Sequence, residues 1–394
     1  MRRNFLPILG LLSLFVLGSC SADRDPKIAS LKHAVEVADS QLLDAAAELD
    51  TTNCFPRSLM PKFRAVDAKD WTSGFFPGSL WQCYRFTGDE KLLAEAWKYT
   101  DRLEGIQYYK GTHDLGFMVF CSFGQQMETL HDQHSEEVIV EAAKSLISRC
   151  DPRIGLIRSW DFGEWNYPVI IDNMMNLELL LWAAGYSGDE SFREMAVSHA
   201  DKTMEYHYRP DFSSWHVVSY DTVSGKPHIR QTHQGFSDDS AWSRGQAWGL
   251  YGYTCMFRLT GEERYLQQAR RIAAFLLNHP NMPEDGVPYW DFDSPEIPDT
   301  PRDASAAAIM ASALIELSGF AEGAEADEYM AFAEKQIRSL ASPEYTAPEG
   351  TNGDFILMHS TGAYPFSSEV DVPLTYADYY YLEALTRLKR SLQS

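Results

Sequence analysis

Two aspartates in this chain stand where acid–base chemistry would need them. Asp114 lies in His113-Asp114-Leu115-Gly116-Phe117-Met118 and opens one helical run; Asp172 lies in Asp172-Asn173-Met174-Met175-Asn176-Leu177 and opens another. Aspartate is a favoured N-cap, because its carboxylate accepts from the unpaired amides of a first helical turn. That role alone accounts for a third aspartate, Asp303, which leads the Ala-rich run Asp303-Ala304-Ser305 with no other polar company. Asp114 and Asp172 differ because their helices are apolar on most faces and belong inside the molecule, pointing both carboxyls into one cavity. Two carboxylates in one cavity push their pKa values apart. Such a pair suits acid–base work on a glycosidic substrate.

The stretch 230–253, RQTHQGFSDDSAWSRGQAWGLYGY, brings further candidates together. Gly235, Ser237, Asp238, Asp239 and Ser240 mark a loop, and Ala247, Leu250 and Tyr251 then fall at helical spacing. His233, Gln234, Trp242, Arg244 and Trp248 sit at that junction. A cation, an amide, an imidazole and two indoles near unpaired first-turn amides suit an anionic sugar. His131-Asp132-Gln133-His134 has the residue types of a metal cluster but falls on a turn away from the other candidates, and His228 and His233 lack a partner at ligand spacing. No phosphate-binding loop, dinucleotide fingerprint or nucleophile elbow is present. Neither a metal nor a cofactor is expected.

The elements that must position these residues follow a repeated device. Thr87-Gly88-Asp89-Glu90, Ser187-Gly188-Asp189-Glu190 and Thr260-Gly261-Glu262-Glu263 each end an apolar run with a glycine stop and restart it with acidic residues. Each is a helical hairpin; residues 131–136 and 318–327 fill the same role less cleanly. The spacing predicts twelve helices, near 28–49, 74–86, 90–106, 114–130, 135–149, 172–186, 189–206, 241–259, 263–278, 303–318, 324–340 and 375–392. Every second one is apolar nearly all round, whereas the others keep a polar face. Six inner and six outer helices predict an all-α (α/α)6 barrel in one domain, residues 31–394. The short hairpin turns then share one rim. The long connections 56–73, 108–113, 150–171, 208–240, 280–302 and 342–374 share the other, carrying Lys62, Tyr109, Trp160, Trp165, Trp215, Trp290 and Tyr364 to one mouth.

A net charge of −22 and a pI of about 4.8 argue against nucleic acid and anionic membrane surfaces as partners. A small anionic ligand remains compatible, since screening limits surface charge to about 8–10 Å. Residues 1–19 read as a lipoprotein signal: Arg2 and Arg3, an apolar run too short to span a bilayer comfortably, then Leu17-Gly18-Ser19-Cys20. Cys20 would be lipidated, with 20–30 as a tether, placing the chain beyond the inner membrane, periplasmic or at the cell surface. Cys83, Cys121 and Cys255 sit in apolar helical settings and read as buried thiols.

WTSGFFPGSLW at 71–81, HDLGFM at 113–118, DNMMNLELLLWA at 172–183, THQGFSDDSAWSRGQAWGLYGY at 232–253 and YADYYYLEAL at 376–385 together resemble the unsaturated glucuronyl hydrolases, glycoside hydrolase family 88. The match spreads over nearly the whole mature chain. The resemblance implies an (α/α)6 barrel and a substrate made by polysaccharide lyases, an oligosaccharide ending in a 4,5-unsaturated uronic acid. It implies Asp172 as the acid/base that protonates C4 while water adds at C5, and Asp114 as the second carboxylate. It further implies substrate contacts from His113, His216, Gln234 and Arg244, with Trp71 and Trp248 lining the subsite. Some relatives carry a Ser/Gly/Lys-rich loop that recognises a sulfate; here the corresponding stretch offers Ser367 and Ser368, with no lysine between Ser360 and Leu374. Two other readings are an unsaturated rhamnogalacturonyl hydrolase and a lipid-anchored glycan-binding protein.

Overall fold

The computed structural model describes residues 26–393. The expected signal, 1–19, and Cys20 lie outside the described residues, while 26–30, expected as tether, begin the first helix. Twelve main helices are present among the described residues. They are α1 (Pro26–Glu48), α2 (Phe75–Thr87), α3 (Glu90–Asp101), α4 (π-helical Gly116–Gly124 continued by Gln125–Leu130) and α5 (Gln133–Ile147). Then come α6 (a 3-10 stretch Ile171–Asn176 continued by Leu177–Ser187), α7 (Glu190–Tyr206), α8 (Ser243–Thr260) and α9 (Glu263–Leu277). The last are α10 (Ala304–Ser318), α11 (Ala324–Leu340) and α12 (Thr375–Gln393).

The hairpin turns form as their residues dictate. Gly88, Gly188 and Gly261 take φ of 75°, 72° and 69°, a left-handed conformation that costs glycine nothing. Asp89 and Asp189 then cap the next helices by accepting from the Lys91 and Ser191 amides. His131 occupies the same left-handed position at φ 54°, and Asp132 caps through the Ser135 amide. His134 pairs with Glu104 at 2.8 Å, so the His-Asp-Gln-His run serves the turn between α4 and α5.

The helices close into the expected barrel. Helix α2 packs on α4 and α12, α6 on α4 and α8, and α10 on α8 and α12, completing an inner ring. Helices α3, α5, α7, α9 and α11 each cover the inner helix beside them in sequence, and α1 covers α2 and α12. Burial follows the hydrophobic pattern: α8 is buried without interruption from Ser243 to Met256, whereas α9 buries only Tyr265, Leu266, Gln268, Ala269, Ile272, Ala273 and Leu276, one face.

Two inner helices depart from simple α geometry where they begin. The expected helices 114–130 and 172–186 start as π and 3-10 turns. They meet at Gly116 and Asn176: the Phe117 amide, an orphan donor at the start of α4, donates to Asn176 Oδ1 at 3.2 Å. A Cβ on Gly116 would lie 2.5 Å from Asn176 Cα, so only glycine permits this approach. The crossing draws the two carboxyl-bearing helix starts together.

The connections at the mouth hold strands that the sequence does not announce. β1 (Phe55–Leu59) pairs antiparallel with β2 (Phe63–Val66), β3 (Cys150–Asp151) with β4 (Leu156–Ile157), and β5 (Pro168–Ile170), β6 (Val217–Tyr220) and β7 (Pro227–Gln231) form a three-stranded antiparallel sheet. Segments this short show no readable alternation. Ile154, Leu156, Tyr167, Val169, Val218 and Tyr220 make a small core beneath the sheet, which stiffens one side of the mouth.

Gly116→Ala should therefore destabilise the protein by about 1–3 kcal/mol, the usual cost of overpacking. Gly185→Ala, whose added Cβ meets nothing within 4 Å, should be neutral or slightly stabilising. Urea denaturation of the two variants beside the wild type measures the contrast.

Candidate active site

A cavity of about 680 Å³ opens among the long connections. Asp114 and Asp172, 9% and 8% exposed, lie in its wall with Trp71, His113, Gln234, Arg244 and Ser368. Tyr109 and Trp160 join them from the connections expected to carry aromatics there. His216, Trp248 and Ser367 do not line it. His216 and Trp248 are buried behind Asp172, because β6 and the core-facing side of α8 turn them inward. Ser367 stands at φ 49° in the turn beyond Ser368. The mouth residues thus gather at one place, but in two layers rather than one.

Arg244 ties the mouth together. It begins α8, is 1% exposed, and its Nη1 donates to Asp303 Oδ2 at 3.0 Å. Nη1 also reaches the Thr361 carbonyl, and Nη2 donates to the Gly362 carbonyl at 2.6 Å. Gln234 Nε2 donates to the same Gly362 carbonyl at 3.2 Å. Of the five guanidinium donors, those bonds leave Nε–H and one Nη2–H for a ligand. Asp303 is the cap that the sequence predicts, accepting from the Ser305 amide at 3.1 Å, and it is also the buried counter-charge of Arg244. A one-position cap reading could not show the second role, since its partner lies 59 residues away.

A second ionic group fastens the loop after α11 to the N-terminal hairpin. Arg57 donates through Nε and Nη2 to Glu369 at 2.8 and 2.9 Å, and through Nη1 to both oxygens of Asp70. Ser58 and Arg64 add bonds to Glu369, whose carboxyl these partners hold below its ordinary range against the effect of burial. None of these residues stood out in the sequence, because they converge from segments more than 300 residues apart. Tyr376, in the YADYYYLEAL motif, completes the cavity wall under Trp71, the ring centroids 5.1 Å apart.

Proton placement follows from the backbone. His113 Nδ1 lies 2.9 Å from the Ser159 carbonyl and must carry a hydrogen. Its Nε2 then presents a lone pair to Asp114 Oδ1 at 3.1 Å, while Thr112 donates its hydroxyl to Asp114 Oδ2 at 2.7 Å. That nitrogen makes no hydrogen bond, and a lone pair facing a carboxyl oxygen disfavours the carboxylate form. The titration tendencies agree: burial pushes His113 down to about 3 and Asp114 up to about 7. His216 has the opposite tautomer. Its Nδ1 accepts from the amides of His233 and Gln234 at 3.0 and 3.1 Å, so Nε2 carries the hydrogen and faces Asp172 Oδ2 at 3.9 Å. Neither of those two atoms has a hydrogen-bond partner. Burial raises Asp172 to about 7; Arg244 and the Trp248 indole pull it down, and Asp114 pushes it up. The helix start favours the carboxylate, and desolvation outweighs it.

A buried carboxyl that stays protonated to near neutrality, a second carboxyl beside it and an arginine at the base of a sugar-sized cavity define an acid–base glycosidase. Comparison with known proteins agrees. The family model described as Glycosyl Hydrolase Family 88 matches residues 47–388. An unsaturated glucuronyl hydrolase from Formosa agariphila is 49% identical over 341 residues, covering 85% of this chain and 84% of the relative. The crystal structure of an unsaturated glucuronyl hydrolase specific for heparin superposes with a TM-score of 0.89 at 48% identity, covering 92% of this chain and 98% of that one. The enzyme of that name from Bacillus sp. GL1, responsible for the degradation of glycosaminoglycan, gives 0.84 at 32% identity, with 92% and 98% covered. The chain belongs to glycosyl hydrolase family 88 and is a glycoside hydrolase.

Asp303→Asn keeps the cap, because asparagine caps well, but strips Arg244 of its buried counter-charge. Breaking such a pair costs about 3–5 kcal/mol, so the melting temperature and kcat/KM should fall together, whereas loss of a cap alone would leave turnover of the folded protein normal.

Proposed function

We propose that this chain hydrolyses oligosaccharides ending in a 4,5-unsaturated uronic acid, of the kind that lyases cut from glycosaminoglycans. The observation that carries the reading is Asp172: it stands in the cavity wall, is 8% exposed, and is raised by burial to about 7. An acid in that state can deliver a proton at neutral pH. Asp172 protonates C4 of the double bond, and the pair of electrons from C4–C5 forms the new C–H bond. The carboxylate left behind takes a proton from water as its oxygen bonds to C5. The resulting hemiketal opens, and the hemiacetal exposed at C1 releases the neighbouring sugar as an alcohol.

The other residues prepare this step. His216 Nε2–H faces the buried Oδ2 of Asp172 at 3.9 Å and holds a polar hydrogen behind that carboxyl. Arg244 keeps Nε–H and one Nη2–H for the uronate carboxylate, and its fixed fork suits that group. Burial, which raises Asp114 to about 7, lowers the negative charge that the uronate meets. Trp71 and Tyr376 supply the apolar wall. Ser368 reaches the cavity and supports contact with the leaving sugar. The heparin-specific relative favours a glycosaminoglycan fragment over a rhamnogalacturonan one.

We place the chain beyond the inner membrane, held by lipid on Cys20, on the strength of Leu17-Gly18-Ser19-Cys20. Cys20→Ser should move it from the membrane fraction to the soluble fraction. A wild type already in the soluble fraction with an unmodified Cys20 refutes the anchor.

Asp172→Asn should keep the fold and lower turnover by roughly 10²–10⁴-fold, the loss typical of removing a general acid–base. Loss of ultraviolet absorbance from an unsaturated disaccharide measures it. The saturated analogue, followed by reducing-sugar release, should not be cleaved; equal rates on both would mark a direct glycosidic displacement instead. In the wild type the rate should decline as pH rises through about 7, where the protonated form of Asp172 is lost. Asp114→Asn removes the neighbour that raises Asp172 and should move that decline to lower pH.

A further inference from the structure

The cavity changes character toward solvent. Its inner end holds the carboxyls and Arg244; its outer end is aromatic. Trp160 runs between the two, its ring 5.8 Å from His216 on the inner side and 5.1 Å from Phe162 on the outer, the latter pair stacked at 22°. Trp160 therefore covers one face of Phe162, and the phenyl is still 57% exposed. Beside the cavity-lining His233, Phe366 stands at the tip of the loop between α11 and α12 and is 56% exposed. His233 lies between them, 5.0 Å from Trp160 and 4.6 Å from Phe366.

These rings are braced. Trp165 Nε1 donates to Gln231 Oε1 at 2.8 Å, fixing the 160–165 segment to β7. Tyr364 stacks on Trp290 with centroids 4.4 Å apart, and the Gly362 amide donates to the Glu369 carbonyl at 2.6 Å, fixing the stem of the Phe366 loop. Leaving two phenyl groups half in water forgoes the stabilisation their burial would bring, and exposed apolar surface continuous with a cavity marks a ligand groove. The ligand of this groove is already a carbohydrate chain on the reading above. The C–H faces of a pyranose are apolar and lie flat on aromatic rings, whereas its hydroxyl rim needs water, which this open position supplies.

Resting on that reading, we propose that Phe162 and Phe366 form an outer subsite that stacks a sugar beyond the leaving residue, so that the enzyme favours oligosaccharides of three or more rings over disaccharides. The cleaved bond stays at the inner end, so the outer subsite adds binding and leaves the chemical step alone. Its signature is in KM.

The test compares an unsaturated disaccharide with the tetrasaccharide of the same repeat, both made by lyase digestion, on the purified protein. The wild type should show a KM lower for the tetrasaccharide by roughly 3- to 10-fold, the span of one aromatic stacking contact, at similar kcat. Phe162→Ala and Phe366→Ala, both at exposed positions, should erase most of that preference by raising the tetrasaccharide KM more than the disaccharide KM. Phe162→Trp, which keeps a stacking face, should restore it. Equal KM values for the two substrates in the wild type would overturn the subsite while leaving the disaccharide activity standing. Alanine variants that weaken both substrates equally would also overturn it, marking the phenyls as a lid over the inner sugar. Turnover of neither substrate by the wild type would overturn the hydrolase reading and the subsite with it.

Discussion

The buried guanidinium of Arg244 is the constraint around which the mouth is arranged. A cation with 1% exposure is stable only when its charge and its donors are answered. Asp303, from the start of α10, answers the charge; the carbonyls of Thr361 and Gly362 answer the donors. Two segments distant in sequence are thereby fixed around the start of α8. The same charge acts on Asp172, opposing the rise that burial imposes, so that the carboxyl settles near neutrality. A structural ion pair and the tuning of a catalytic acid are one arrangement here, and neither can be altered without the other.

The two carboxyls divide their duties through their histidines. Each imidazole has its tautomer set by the main chain: a carbonyl opposite Nδ1 of His113, two amides opposite Nδ1 of His216. The backbone therefore decides that His113 presents a lone pair to Asp114 and that His216 presents a hydrogen to Asp172. Asp114 accepts from the Thr112 hydroxyl on Oδ2 and faces a histidine lone pair on Oδ1, whereas Asp172 faces a histidine N–H on its buried Oδ2. Two aspartates that open two equivalent inner helices thus become different groups. Asp172 lines the cavity and is placed to exchange protons with a ligand, and Asp114 sets the field around it.

Much of this was legible in the chain. Glycine stops and acidic restarts at Gly88, Gly188 and Gly261 are local devices, and alternation of all-round apolar with one-faced helices is a summed signal, so the barrel and its two rims could be read directly. Asp114 and Asp172 were legible because the rim follows from the topology. What escaped was non-local. Asp303 reads as a cap until its partner from α8 is seen; Arg57, Asp70 and Glu369 converge from opposite ends of the chain; the depth of His216 and Trp248 depends on which way β6 and α8 turn. The π and 3-10 starts of α4 and α6 come from a contact between Gly116 and Asn176, and neither helix records that contact alone.

On the proposed reading a chain with net charge −22 binds an anionic sugar, an apparent conflict. Geometry resolves it. Surface charge is screened within about 8–10 Å, and the innermost part of the cavity is governed by Arg244 and by two buried aspartates raised to about 7. A single terminal uronate entering that pocket leaves the repulsive surface behind. A long polyanion lying across the mouth would meet the surface along its whole length. On that reading the acidic exterior disfavours the uncut polymer, and a short fragment that enters by its terminal sugar escapes most of the repulsion.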